Sequence, residues 1–215
     1  MDKLRKAVRI TEQSFKVARK VIVIGITEKK IASKLRKCAI CNGADGLAFH
    51  SIICSSDFKN IHPHPTNKKI KENEFVIVDF GVRYKGIRTD VTRTYCIKPD
   101  KNKIKLYQLL KNAQKIAEKK IKVGAPCSEA DLAARKYLKK HTRLKFPYSI
   151  GHGVGKKTHQ RPRISPKSKD VFKVGDVFTL EPGLHSEKIG LRIEDMYLLT
   201  GKGLIKLTKN ISSDL

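Results

Sequence analysis

The chain has 215 residues, 40% hydrophobic and 31% charged, the balance of a soluble globular protein with a heavily charged surface. No apolar run reaches the roughly 18 residues of a membrane span, and the first fifteen residues carry basic groups without the apolar stretch of a secretory leader, so a cytoplasmic, non-membrane protein is expected. Lys and Arg outnumber acids 47 to 20, a formal charge of +27 that permits polyanion binding; the basic residues run along the whole chain without a nucleic-acid motif, which favours a lysine-rich solvated surface over an RNA or ribosome contact.

In chain order, a helical pattern closes on Gly25 (VARKVIVIG, 17–25), and a second helix starts at Thr27, an N-capping hydroxyl with Glu28 in the first turn (TEKKIA). Cys38 and Cys41 form a C-x-x-C. Five scattered cysteines imply reduced thiols, and no second ligand pair follows at zinc spacing, so these two are expected to pack at a helix end. HPHPTN supplies His62 and His64, the strand EFVIVDFG (74–81) carries Asp79, and GIRTD (86–90) ends on Asp90.

The chain then repeats these features in the same order. IAEKKIKVG (116–124) matches the first pattern at an offset of 99, SEADLA (128–133) the second at 101, with Ser128 as the expected cap. DVFTLEPG (176–183) follows at 102 and GLRIE (190–194) at 104. The expected architecture is one α/β (α+β) domain over 1–215, in two halves of roughly 1–100 and 101–215. Each half runs helix, helix, strands; a pseudo-twofold axis relates them, and helices cover one face of a curved, mainly antiparallel sheet.

The repeat aligns Asp79 with Glu181 and Asp90 with Glu194, so the axis would gather four carboxylates. Four such groups cannot all be ionised together without cations. Two divalent ions, bridged by carboxylates at about 3.5–4 Å, would cancel the charge. Arg88, Arg93 and Arg192 offer structural ion pairs instead, but four symmetry-matched acids favour metal. His152, among glycines in SIGHGVG, and His159, seven residues on, are candidates beside such a cluster, because imidazole both ligates metals and carries protons.

The ordered set Asp79, Asp90, His152, Glu181, Glu194, with the segments VDFGVRYKGIRTDVTRTY, GHGVG, LEPG and RIED, resembles the pita-bread metallopeptidases, over nearly the whole chain. That family comprises methionine aminopeptidases, Xaa-Pro aminopeptidases and prolidases. RIED is similar to the proline-specific branch, where methionine aminopeptidases have a Glu-His-Thr-like segment. Three departures stand out. No separate N-terminal domain is read, so the chain is expected to be catalytic domain throughout; the family's His-Glu-x-Pro is His159-Gln160-Arg161-Pro162; and the upstream histidine is doubled, with His62, seventeen residues before Asp79, fitting the family frame better than His64.

The resemblance implies a two-metal aminopeptidase acting on peptides before proline, with methionine removal, Xaa-Pro dipeptide cleavage or a non-catalytic RNA-binding role as alternatives. It implies that Asp79 and Asp90 hold one ion, that His152 holds the other, that Glu181 contributes one oxygen and that Glu194 bridges. Glu181 would also be the acid/base, His62 and His159 would bond the scissile carbonyl, and Arg192 and Asp195 would orient the ligands from behind. Oxygen-rich ligation favours Mn²⁺ over Zn²⁺, with Co²⁺ or Fe²⁺ open. A monomer or homodimer is expected.

Overall fold

The computed structural model describes residues 1–55 and 64–215, and in them both halves run through similar elements. The first half has α1 (Asp2–Val21), α2 (Glu28–Cys41), β1 (Gly46–Leu47), β2 (Ile52–Cys54), β3 (Phe75–Phe80), β4 (Val82–Tyr84), β5 (Ile87–Arg88) and β6 (Val91–Cys96). The second has α3 (Lys101–Glu118), α4 (Cys127–His141), β7 (Gly151–Gly153), β8 (Gln160–Ile164), β9 (Val177–Leu180), β10 (Gly183–His185), β11 (Gly190–Arg192), β12 (Asp195–Thr200) and β13 (Gly203–Lys206). No helix among the described residues is long and apolar enough to cross a membrane.

The helices follow from their apolar spacing. Leu4, Ala7, Val8, Phe15 and Ala18 form one buried stripe on α1, and Leu110, Ala113 and Ala117 form another on α3. Both helices stop before the glycine that the sequence pattern reaches. Ile22 is already extended, at φ −75° and ψ 96°, inside the β-branched run Val21–Ile24, which is poorly suited to a helix. Gly25 and Gly124 then take φ +87° and +82°, the left-handed region that favours glycine. Their amides donate to Ile70 O and Phe172 O at 2.9 and 2.8 Å, and the isolated bridges Thr27↔Lys69 and Pro126↔Val171 follow in both halves.

That matched pair of bridges corrects one expectation. Thr27 does cap α2, accepting from Lys30 N at 3.2 Å, but its counterpart is Pro126 rather than Ser128. Proline's fixed φ of −62° and missing N–H suit the residue entering a helix, so α4 starts at Cys127 and Ser128 lies inside its first turn.

The strand pairings are antiparallel. They form short ladders rather than one continuous sheet: β2-β3-β6 and β1-β4-β5 in the first half, β13-β12-β9-β7-β8 and β10-β11 in the second. Each helix pair covers its own half's strands, and the halves interlock. Val76, Val78 and Phe80 of β3 pack with α1 and α2, while Phe75 and Ile77 on the other side of the strand join the core of α3 and α4. Val177 and Met196 make the reciprocal crossing. The halves also bond directly where β6 meets the β11 end, with Glu194 N donating to Thr92 O at 2.9 Å and Thr94 Oγ1 to Arg192 O at 2.8 Å.

Candidate functional site

The interlock sets five side chains around one point. Asp79 is the fifth residue of β3, and Glu181 immediately follows β9. Asp90 occupies the break between β5 and β6; Glu194 occupies the corresponding break between β11 and β12. His152 is the middle residue of β7, and its Nε2 lies 3.5 Å from Glu181 Oε1, 3.7 Å from Asp90 Oδ2 and 4.0 Å from Glu194 Oε1. Ligand-capable atoms of Asp79, Asp90 and Glu194 fall within 4.8 Å of one another, as do those of His152, Glu181 and Glu194. Glu194 belongs to both groups, and a third group joins Asp90, His152 and His159.

Two glycines make this convergence possible. A Cβ at Gly151 would collide with Thr179 O, so only glycine lets β7 lie this close to β9 and bring His152 in. A Cβ at Gly183, the glycine of LEPG, would collide with the Tyr148 hydroxyl, which sits against that backbone.

Burial makes the acids reluctant to ionise. Asp90 and Glu181 are held well above the usual carboxylate range, first by desolvation and then by repulsion from Glu194. Glu194 is pushed up to about 8 by burial and by Asp79, against the pull of Arg192 and hydrogen bonds. His152 is pushed down to about 4, chiefly by burial and then by His159. Its Nδ1 sits 3.1 Å from Gly153 O, so the neutral ring donates there and turns the Nε2 lone pair toward the carboxylates. Cations among these groups would relieve the repulsion, and the oxygen-rich donor set with one imidazole suits hard-to-borderline divalent ions.

Arginines brace the cluster from behind. Arg192 pairs with Asp79, so the ion-pair alternative is realised for that acid. Its Nε also donates to Thr92 Oγ1 at 3.1 Å, and Thr92 donates to Glu194 Oε2 at 2.9 Å. Asp195 acts at one remove: it binds Arg93 (2.6 Å) and Thr208 (2.7 Å), and Arg93 in turn donates to the carbonyls of Thr92 and Glu194. Arg88 is apart from the acids and bonds Lys156 O.

A cleft of about 990 Å³ opens over the cluster. His159 lines it, with its ring 4.2 Å from that of His152. His62 lies outside the described residues; His64, exposed, lines the cleft with its ring 5.7 Å from His50. Cys38 and Cys41 end α2, and neither falls in a metal-competent group among the described residues. Thr92, Tyr148, Arg161 and Arg163 also belong to the site or its cleft, yet sequence reading did not single them out. Thr92 lies two residues after Asp90, directly behind the matched segment GIRTD, and that proximity is the one signal that could have flagged it.

A model of metallopeptidase family M24 matches residues 2–201. The chain is 37% identical over 192 residues to an uncharacterized peptidase of Methanocaldococcus jannaschii, covering 87% of this chain and 55% of that one. It is 35% identical over 211 residues to an Xaa-Pro dipeptidase of Pyrococcus furiosus, 96% of this chain and 60% of that one, and a solved prolidase from the same organism superposes with a TM-score of 0.92 over 97% of this chain and 63% of that chain, at 34% identity. An X-Pro aminopeptidase structure from Thermotoga maritima gives 0.93 at 30% identity, over 99% of this chain and 61% of that one. The chain thus spans 55–60% of the length of these curated relatives. Its fold is the pita-bread fold that the motifs led us to expect.

Proposed function

We infer that this chain, which belongs to metallopeptidase family M24, is a metal-dependent aminopeptidase that removes the N-terminal residue of peptides, preferentially before proline. The observation that carries this reading is the pair of ligand groups meeting at Glu194. Asp79 and Asp90 would hold one divalent ion, His152 the other, Glu181 would add an oxygen and Glu194 would serve both. Mn²⁺ is the favoured ion for so oxygen-rich a set, ahead of Co²⁺ or Fe²⁺. Residues 1–215 act in this reading as one catalytic domain of two related halves.

Bound ions would polarise the scissile carbonyl and lower the pKa of the attacking water. Glu181 takes that water's proton and passes it to the leaving nitrogen. Its side chain is the most exposed of the four acids, at 14% against 11% for Asp79, 6% for Asp90 and 2% for Glu194, which suits a group that must reach substrate. His159, on the cleft side of His152, donates to the developing oxyanion, with His62 as its proposed partner. Arg192 holds Asp79 in place and, through Thr92, Glu194. Arg93 with Asp195 fixes the backbone that carries Glu194. RIED and the relatives named for Xaa-Pro cleavage support the proline preference.

A second reading, a dipeptidase restricted to Xaa-Pro, is favoured by Arg161 and Arg163 lining the cleft, where two guanidiniums would suit the carboxylate of a short substrate. A panel of Ala-Pro, Ala-Pro-Gly, Gly-Pro and Met-Ala-Gly with Mn²⁺ or Co²⁺ tests both. Cleavage of the dipeptides Ala-Pro and Gly-Pro without Ala-Pro-Gly selects the dipeptidase, and cleavage of Ala-Pro-Gly as well selects the aminopeptidase. Preference for Met-Ala-Gly overturns the proline assignment, while metal-free, inactive protein that binds RNA in a salt-sensitive way overturns the enzyme.

A further inference from the structure

Residues 146–150 enter the cleft between α4 and β7 without belonging to either element, and Tyr148 and Ser149 form part of the cleft lining. Among the described residues, backbone bonds tie only the ends of this wall, at the Lys145↔His185 bridge and at Ile150 O, and one side chain on α4 holds the span between them. Arg135 Nη1 donates to Phe146 O at 2.6 Å and Nη2 to Tyr148 O at 2.8 Å, while the guanidinium lies 4.4 Å from the Phe146 ring centroid. Asp131, fully buried one turn earlier, braces it with contacts of 2.8 and 3.2 Å, and the same carboxylate accepts Ile150 N at 2.8 Å. Four hydrogen bonds to the carbonyls and carboxylate thus pass through a single planar fork, a geometry that a lysine ammonium cannot reproduce.

We propose that Arg135, braced by Asp131, is a positioning residue for substrate: it sets the 146–148 backbone so that the Tyr148 ring forms the wall against which the peptide lies. The proposal rests on the peptidase reading above. Tyr148 has little freedom once its backbone is placed. Its hydroxyl meets His185 Nε2 at 3.3 Å, and Arg192 lies 5.6 Å from its ring centroid. His152 is anchored separately, through the pairing of β7 with β8 and β9, and Ile150 O accepts from Glu181 N at 2.6 Å. Loosening Arg135 should therefore move the wall and spare the metal ligands.

The test compares wild type with Arg135→Lys, which keeps a positive charge opposite Asp131. It measures steady-state kinetics on Ala-Pro-Gly with Mn²⁺, bound metal, and amide hydrogen exchange over 146–150. KM should rise about tenfold with kcat and metal content within about twofold, and exchange over 146–150 should quicken while β7 and β9 keep their protection. A purely structural ion pair would instead lower kcat through a smaller folded fraction and leave KM alone; that result, or unchanged exchange, overturns the proposal. Phe146→Leu, which removes the stacked ring but keeps the carbonyl, is the milder second variant, expected to raise KM about threefold. A wild type inactive on every peptide sinks the peptidase reading instead, and the exchange measurement then decides alone whether Arg135 positions the wall.

Discussion

Thr92 in the first half donates its hydroxyl to Glu194 in the second at 2.9 Å, while accepting from Arg192 Nε at 3.1 Å. This relay fixes which way the shared carboxylate turns, and outer partners of this kind tune metal affinity. Thr92→Val, nearly the same shape, should weaken Mn²⁺ binding about 10- to 100-fold, read by calorimetry on chelator-treated protein. Affinity equal to wild type would remove Thr92 from the site.

Glu181→Gln keeps one ligating oxygen and loses the group that can carry a proton. The variant should fold, bind metal, and turn over about 10²- to 10⁴-fold more slowly. Unchanged kcat would end the proton-transfer role.

The raised acids give the metal-free chain a definite pH dependence. In the folded state Asp90, Glu181 and Glu194 hold protons to higher pH than they would when unfolded, with Glu194 raised to about 8. The Glu194 contribution is fully present below the ordinary carboxylate value and is lost as pH rises through about 8, and those of Asp90 and Glu181 are lost in the same direction as pH rises. Divalent ions remove that loss, so the gain in Tm from saturating Mn²⁺ should be several degrees larger at about pH 8 than at about pH 5.5. Equal gains at both pH values would contradict the electrostatic account of the cluster.

Arg93 and Asp195 are each about 1% exposed and 2.6 Å apart, and Arg93 also serves four backbone carbonyls: Thr92, Glu194, Ile211 and Ser212. Burial alone would push the Asp195 carboxyl up, but Arg93 and Lys206 outweigh it and hold the group below its usual range. Arg93→Met strands those partners and should cost about 3–5 kcal/mol in urea unfolding. A loss under about 1 kcal/mol would show that the remaining partners suffice.

How much of this is legible in the sequence depends on whether a residue's role is fixed locally. Asp90 and Glu194 stand out because charges interrupt apolar strands at matched places, and the strand breaks there give a backbone reason. The Ser128 cap misleads because a hydroxyl followed by Glu is a local signal, whereas the bridge from Pro126 to Val171 sets the helix start from 45 residues away. Thr92 is silent because threonine is an ordinary strand residue. Arg135 is silent because an acid and an arginine four apart on a helix read as a routine surface pair until the carbonyls it reaches are known. His64 and His50 meet only through tertiary structure.

Because Phe75 and Ile77 finish the core of α3 and α4 while Val177 and Met196 finish that of α1 and α2, neither half is self-sufficient. A chain severed between Cys96 and Lys101 would yield two fragments, each with two of the four carboxylates and an uncovered apolar face. Mixed, they have every reason to find each other; alone, each is half a ligand sphere on an unfinished core.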